Sequence, residues 1–264
     1  ESKDKTTNFS KEFEDYNKKM RTATYVVIQN DTIIGEKYYE DYSVNSSTNS
    51  FSMAKTPVSL MMAKAFEQGY INSLEDKVID YIPELKGEFA NDVKIIDLAA
   101  MTSGIDWDEG TSNPFSPVAK QYFYEDLDKL MLDQKFIDEP SKTYKYSSGN
   151  TQILSMVIEE ATDIKTNDYF EKEFWSKINP DNDAYWQIDS KESGNVKSFC
   201  CLHSNARDFS RLGKLYIDNG SWNGNQIIDS TFIQKSTKPY FCLLYTSPST
   251  PDYWAGGIPA STRK

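Results

Sequence analysis

Apolar side chains three to four apart open the chain: Phe9, Phe13, Tyr16 and Met20 fall on one face of a helix. Two β-rich runs follow, Thr24–Gln29 and residues 32–39, and Asn30-Asp31 between them reads as a hairpin turn. A polar stretch from Ser43 to Ser50 then gives way to an amphipathic helical pattern from Met53 to about Gln68, closed by Gly69 as a C-cap. That places Ser52 at a helix N-terminus.

The middle of the chain is helix-rich. Ser73-Leu74-Glu75-Asp76 reads as a capping box before a helix that Pro83 ends, and residues 93–101, 125–132, 151–161 and 168–178 follow as further helices. Strand-like runs return at 185–188 and 198–202. A helix is then predicted from Ala206 to Asp218, capped by Ser204 or Asn205 and ended by Gly220. Trp222-Asn223-Gly224-Asn225 reads as a surface turn. The order of strands, then helices, then strands predicts an α/β (α+β) fold carrying a helical insertion. Residues 1–80 and 185–241 would form one discontinuous lobe and 81–184 an all-helical lobe. Residues 242–264 cluster Pro, Ser, Thr and Gly with no amphipathic period, as a non-native or disordered tail would.

Composition narrows the function classes. The 264 residues are 38% hydrophobic and 14% aromatic, enough for a sizeable core and too rich for disorder. A net charge of −11 repels phosphate backbones and anionic lipid surfaces, which excludes nucleic acid as a partner. No apolar run approaches the roughly eighteen residues of a membrane span. The first residue is Glu1, which leaves a removed signal segment or a lost upstream piece equally open. Of three cysteines, Cys200 and Cys201 are adjacent, a poor geometry for a disulfide, and a single histidine is too little for a zinc cluster. Neither a metal, a cofactor nor a structural disulfide is expected.

The chemistry concentrates at Ser52-Met53-Ala54-Lys55. A serine becomes a nucleophile when a base takes its proton, and residues three apart on a helix share a face, so Lys55 would stand one turn from Ser52. The helix N-terminus favours an oxyanion there, and a desolvated lysine can lose its proton near neutral pH. The Ser-x-x-Lys spacing also occurs at Ser2 to Lys5, in a polar terminus that no core would hold, and an ordinary N-cap serine fits the pattern at Ser52 as well. The second element is Tyr146-Ser147-Ser148-Gly149-Asn150, a polar loop before a helix, whose phenol would shuttle a proton if a lysine ammonium favoured phenolate. A loop tyrosine that only packs its ring is the plainer reading.

Together, S-M-A-K at 52–55, L-A-A-M-T-S-G-I-D-W at 98–107, Y-S-S-G-N at 146–150 and S-N-A-R-D-F-S-R-L-G-K-L-Y at 204–216 resemble the serine β-lactamase and penicillin-recognising D,D-peptidase superfamily. The similarity is greatest to its branch of class C β-lactamases, esterases and 6-aminohexanoate-oligomer hydrolases, and covers roughly residues 10–240. The resemblance implies a β-lactamase/transpeptidase-like fold, an antiparallel sheet flanked by helices. It implies Ser52 as the acylated nucleophile, Lys55 as its proton partner and Tyr146 as general base. The backbone N–H of Ser52 would sit in the oxyanion hole, and Trp107, Ser148 and Asn150 would line the pocket. It implies a small ester, amide or peptide substrate and a periplasmic or secreted bacterial setting, and leaves oligomeric state open.

Two departures qualify the resemblance. Class C enzymes place Asn two residues after the Tyr, where this chain has Ser148, which resembles the esterase and amide-hydrolase members more than true β-lactamases. The family's third motif, K-T-G or H-x-G on a core strand, is not found after residue 216. Residues 242–249 read like translated sequencing-adapter text, so the expectation is a gene fragment with a spurious tail and its closing C-terminal strands missing. A non-catalytic acyl-binding sensor is the alternative function. A Ser-His-Asp triad would have to use His203 without a G-x-S-x-G elbow, and thiol chemistry would have to use Cys200 or Cys201 in a run that reads as a buried strand.

Overall fold

A computed structural model describes residues 9–110 and 113–238. Ser2 to Lys5 and the segment 242–264 lie outside them. Helix α1 (Lys11–Lys19) begins at Ser10, whose hydroxyl accepts from the Phe13 N–H, and Phe9 and Phe13 pack their rings on Tyr25 of strand β1 (Thr24–Gln29). Strand β2 (Thr32–Tyr38) pairs antiparallel with β1 across Asn30 and Asp31. Both turn residues hold positive φ, as a two-residue hairpin requires.

Strand β3 (Thr48–Asn49) leads into a single 3₁₀ turn, Phe51–Ala54, that runs on as helix α2 (Lys55–Glu67), with Gly69 at φ +79 beyond its end. Short helices α3 (Ile95–Ala99), α4 (Pro117–Phe123) and α5 (Leu127–Leu132) precede helix α6 (Ser148–Thr162), and α7 (Thr166–Phe170) follows. Strands β4 (Tyr185–Trp186) and β5 (Leu202–Ser204) complete a three-stranded sheet in the order β3-β5-β4. Helix α8 (Ala206–Ile217) is capped by Asn205. A tight hairpin, β6 (Ser221–Trp222) with β7 (Asn225–Gln226), and helix α9 (Ser230–Ser236) close the described chain. One continuous buried cluster runs through α2, α3, α6 and α7 to α8 and α9, with α2 packed directly against α6.

The structure corrects several expectations. The Ser73 box forms its reciprocal bonds, Ser73 N–H to Asp76 and Glu75 N–H to Ser73, yet only a 3₁₀ turn at Val78–Asp80 follows. The carbonyls of Leu74 and Asp76 accept from Ile96 and Ile95, and the Val78 N–H donates to Val93, so the segment pairs across the chain instead of coiling. The helix expected at 168–178 divides into α7, a π turn Glu171–Trp175 and a 3₁₀ turn Ser176–Ile178. The wider turn lets Phe170, Phe174 and Trp175 all be buried. The run 198–201 is buried but turned, and only Leu202 is extended, as the first residue of β5: Cys201 sits at φ +66, and Ser198 is tied by its N–H and hydroxyl to the Gln152 side chain.

That left-handed residue also overturns the expectation of no disulfide. The turn sets the side chains of Cys200 and Cys201 side by side, and the two sulfurs are bonded. Among the described residues no helix is long and apolar enough to cross a membrane.

Two outcomes follow from this packing. A thiol-directed alkylator applied to the denatured, unreduced protein should label Cys242 alone, and all three cysteines only after reduction; mass spectrometry reads the difference. At Gly149 in α6 an added Cβ would lie 2.7 Å from the Trp107 ring. Gly149→Ala should therefore lower stability by about 1–3 kcal/mol through overpacking, measured by urea denaturation.

Candidate active site

Ser52 lies in the 3₁₀ turn that opens α2, directly after Phe51, a non-glycine residue at φ +46 whose N–H is held by the Asn49 side chain at 2.8 Å. Such a backbone turns the serine out of the strand and onto the surface, where its side chain is exposed. One turn on, the Lys55 ammonium donates to Ser52 Oγ at 3.3 Å and to the Phe199 carbonyl at 2.9 Å. The second bond depends on the sheet. The Ser50 N–H donates to the Leu202 carbonyl at 2.8 Å, and the β3–β5 pairing brings the 199–201 turn alongside the start of α2.

The Tyr146 ring lies 5.0 Å from Lys55 Nζ, close enough for a cation–π contact, and its phenol lies near enough to Ser52 for that hydroxyl to influence its ionisation. Tyr146 belongs to the segment leading into α6, and α6 packs on α2, so the three groups converge through helix packing from positions almost a hundred residues apart. The structure thus brings Ser52, Lys55 and Tyr146 together.

Their ionisation is set by burial. Desolvation lowers Lys55 to about 8, against a smaller upward pull from Glu109. Tyr146 is pushed above the usual phenol value, first by desolvation and then by the Glu109 charge, while the nearby Ser52 hydroxyl pulls it down. The two shifts run in opposite directions.

Trp107, Ser148 and Asn150 are buried, 2%, 4% and 1% exposed. Asn150 accepts from the Ser103 hydroxyl at 2.5 Å and donates towards Met101 Sδ, pinning α6 to the loop after α3. Trp107 packs its ring under Gly149 and donates its indole N–H to Glu109 at 3.1 Å. Glu109 is the residue that sequence reasoning missed. Its carboxylate accepts from both the N–H (2.7 Å) and the hydroxyl (2.5 Å) of Ser148, capping α6 in place of Ser147, whose hydroxyl donates instead to Lys145. A lone Glu two residues past a Trp carries no spacing signal that marks it.

His203, on β5, stacks on Tyr185 with ring centroids 4.6 Å apart and bonds Gln187 at 3.1 Å. Among the described residues no group of three or more His, Cys, Asp or Glu is placed to hold a metal ion.

Comparison with known proteins bears on this arrangement. The Beta-lactamase family model matches residues 9–246, so its last five residues fall inside the segment 242–264. The 6-aminohexanoate-dimer hydrolase of Paenarthrobacter ureafaciens is 21% identical over 228 residues, 81% of this chain and 56% of that protein. A Bacillus anthracis structure, provisionally assigned as a 6-aminohexanoate-dimer hydrolase, superposes with a TM-score of 0.76 at 22% identity over 84% of this chain and 61% of its own. EstCE1, a hydrolase with promiscuous acyltransferase activity, gives a TM-score of 0.67 at 12% identity over 83% of this chain and 74% of its own. The chain spans a little over half the length of the two aminohexanoate relatives. With the family match covering most of the sequence and the β-lactamase-like fold shared by these structures, the chain belongs to the Beta-lactamase family.

Proposed function

We propose that this chain carries the acylation centre of a serine hydrolase that cleaves an ester or amide through an acyl-enzyme on Ser52, of carboxylesterase, D-aminopeptidase or oligoamide-hydrolase type. The observation that carries the reading is a lysine amine, depressed by burial to about 8, within 3.3 Å of a serine hydroxyl exposed at a helix start. The hydrolase names among the similar proteins support it.

In the proposed sequence, the free amine of Lys55 takes the Ser52 proton as Oγ attacks the substrate carbonyl carbon. Lys55 rather than Tyr146 is the better base, because burial favours the neutral form of both groups, which readies the amine and disfavours phenolate. Tyr146, protonated and beside Ser52, passes a proton to the departing alcohol or amine and is reprotonated by Lys55. The tetrahedral intermediate collapses to the Ser52 ester, and water releases the acid by the same route reversed. The N–H of Ser52, at the positive end of α2, is one donor to the oxyanion. Trp107, Ser148 and Asn150 act by holding the start of α6, and with it Tyr146, in register with α2. The alternative, an acyl-binding sensor, shares the first half of this sequence and differs in failing to release the acid.

A fluorophosphonate probe should label Ser52, and p-nitrophenyl butyrate should be turned over. Ser52→Ala should abolish both, and Tyr146→Phe should slow turnover by about a hundredfold or more, with circular dichroism confirming that each variant is folded. Stoichiometric labelling without acid release would favour the sensor, and a folded chain that neither labels nor turns over would overturn the acyl-enzyme reading. Because Lys55 acts as its free base, the acylation rate should climb with pH to a plateau, with its midpoint near 8 and about a tenfold fall per pH unit below it. A burst-phase profile flat from about pH 6 to 9 would assign the base elsewhere.

A further inference from the structure

We infer that Glu109 selects substrates by charge, admitting acyl groups that are neutral or cationic and rejecting those that carry a carboxylate. The inference rests on the hydrolase reading of the Ser52 site. In this chain the helix-start position two residues beyond Tyr146 is a serine whose hydroxyl is not offered to a ligand: Ser148 gives both its N–H and its hydroxyl to Glu109. The polar group presented at that corner is therefore a carboxylate. Among the described residues the hydrogen bonds Glu109 accepts come from neutral donors, the Ser148 N–H and hydroxyl and the Trp107 indole, so they orient the charge without cancelling it.

That charge is partly buried, and its field acts on Lys55 and Tyr146 beside Ser52 and on Tyr122, whose ring packs on Phe199. Lys55 is a cation that this field reaches, and in the proposed cycle Lys55 is neutral when Ser52 attacks. At that moment the site is left with a net negative charge, on a protein whose overall charge is −11 and repels the same ligands from a distance. An acyl chain bearing a carboxylate meets uncompensated repulsion in a half-dry site, and one bearing an ammonium gains attraction.

Three p-nitrophenyl esters of similar acyl length test this: butyrate, the monoester of glutarate, and 4-(trimethylammonio)butyrate. The wild type should favour the cationic over the anionic ester in kcat/KM by about tenfold or more, and the ratio should fall as ionic strength rises from about 0.01 to 0.15 M and the Debye length shrinks from about 30 to 8 Å. Glu109→Gln should cut the ratio about tenfold, while Glu109→Asp keeps its sign. The ratio is its own control, because any loosening of α6 slows both esters alike and a purely structural role would leave it unmoved. Turnover through Ser52 with a ratio that Glu109→Gln and salt do not change would overturn the charge selection alone. Silence towards all three esters, with no fluorophosphonate label at Ser52, would overturn the hydrolase reading and this inference with it.

Discussion

The withdrawal of the Lys55 amine from water is the constraint on which the rest of the site depends. A lysine in bulk solvent holds its proton near pH 10 and is no base at neutrality. Burial brings this one to about 8, and a half-buried amine needs acceptors that do not themselves carry charge. Ser52 Oγ and the Phe199 carbonyl supply them, and the Tyr146 ring covers a third side. A carboxylate in the place of Phe199 O would hold the lysine as a surface-like ion pair and cost it its basicity.

Much of the surrounding architecture can be understood as what keeps those three neighbours in place. The three-stranded β3-β5-β4 sheet is short, but its β3–β5 pairing fixes the 199–201 turn against the start of α2. The same turn is stiffened by the Cys200–Cys201 bond, by the Trp186 indole donating to the Cys200 carbonyl at 2.7 Å and by Gln152 reaching from α6 to Ser198. On the other side, Gly149 allows the Trp107 ring to lie directly against α6, and Trp107 in turn orients Glu109 across the helix start. Glu109 has two effects that oppose each other. It caps α6, which steadies Tyr146, and its charge pulls Lys55 upward, which limits how far burial can lower it.

The elements most legible in the sequence were those whose signal is local. The β1–β2 hairpin follows from two alternating runs around Asn30-Asp31, α8 from Asn205 and an amphipathic period, and the end of α2 from Gly69. Local signals failed where long-range pairing outweighed them. The box at Ser73 forms its own bonds, but strand-like contacts to residues 93–96 claim the backbone beyond it. Helix α6 begins at Ser148, three residues before its apolar pattern suggests, because a carboxylate from a distant loop caps it there.

The sequence by itself determined the chemical types and their local spacing: a serine and a lysine three apart at a helix start, and a tyrosine before a second helix. Those follow from periodicity and motif, properties of neighbouring residues. Only the tertiary structure decided that Tyr146 reaches Ser52, that Phe199 offers its carbonyl to Lys55, that Cys200 and Cys201 are joined, and that Glu109 stands over the site. Each of these depends on desolvation, on a left-handed turn or on contacts between residues far apart in the chain, and no local pattern encodes such a distance.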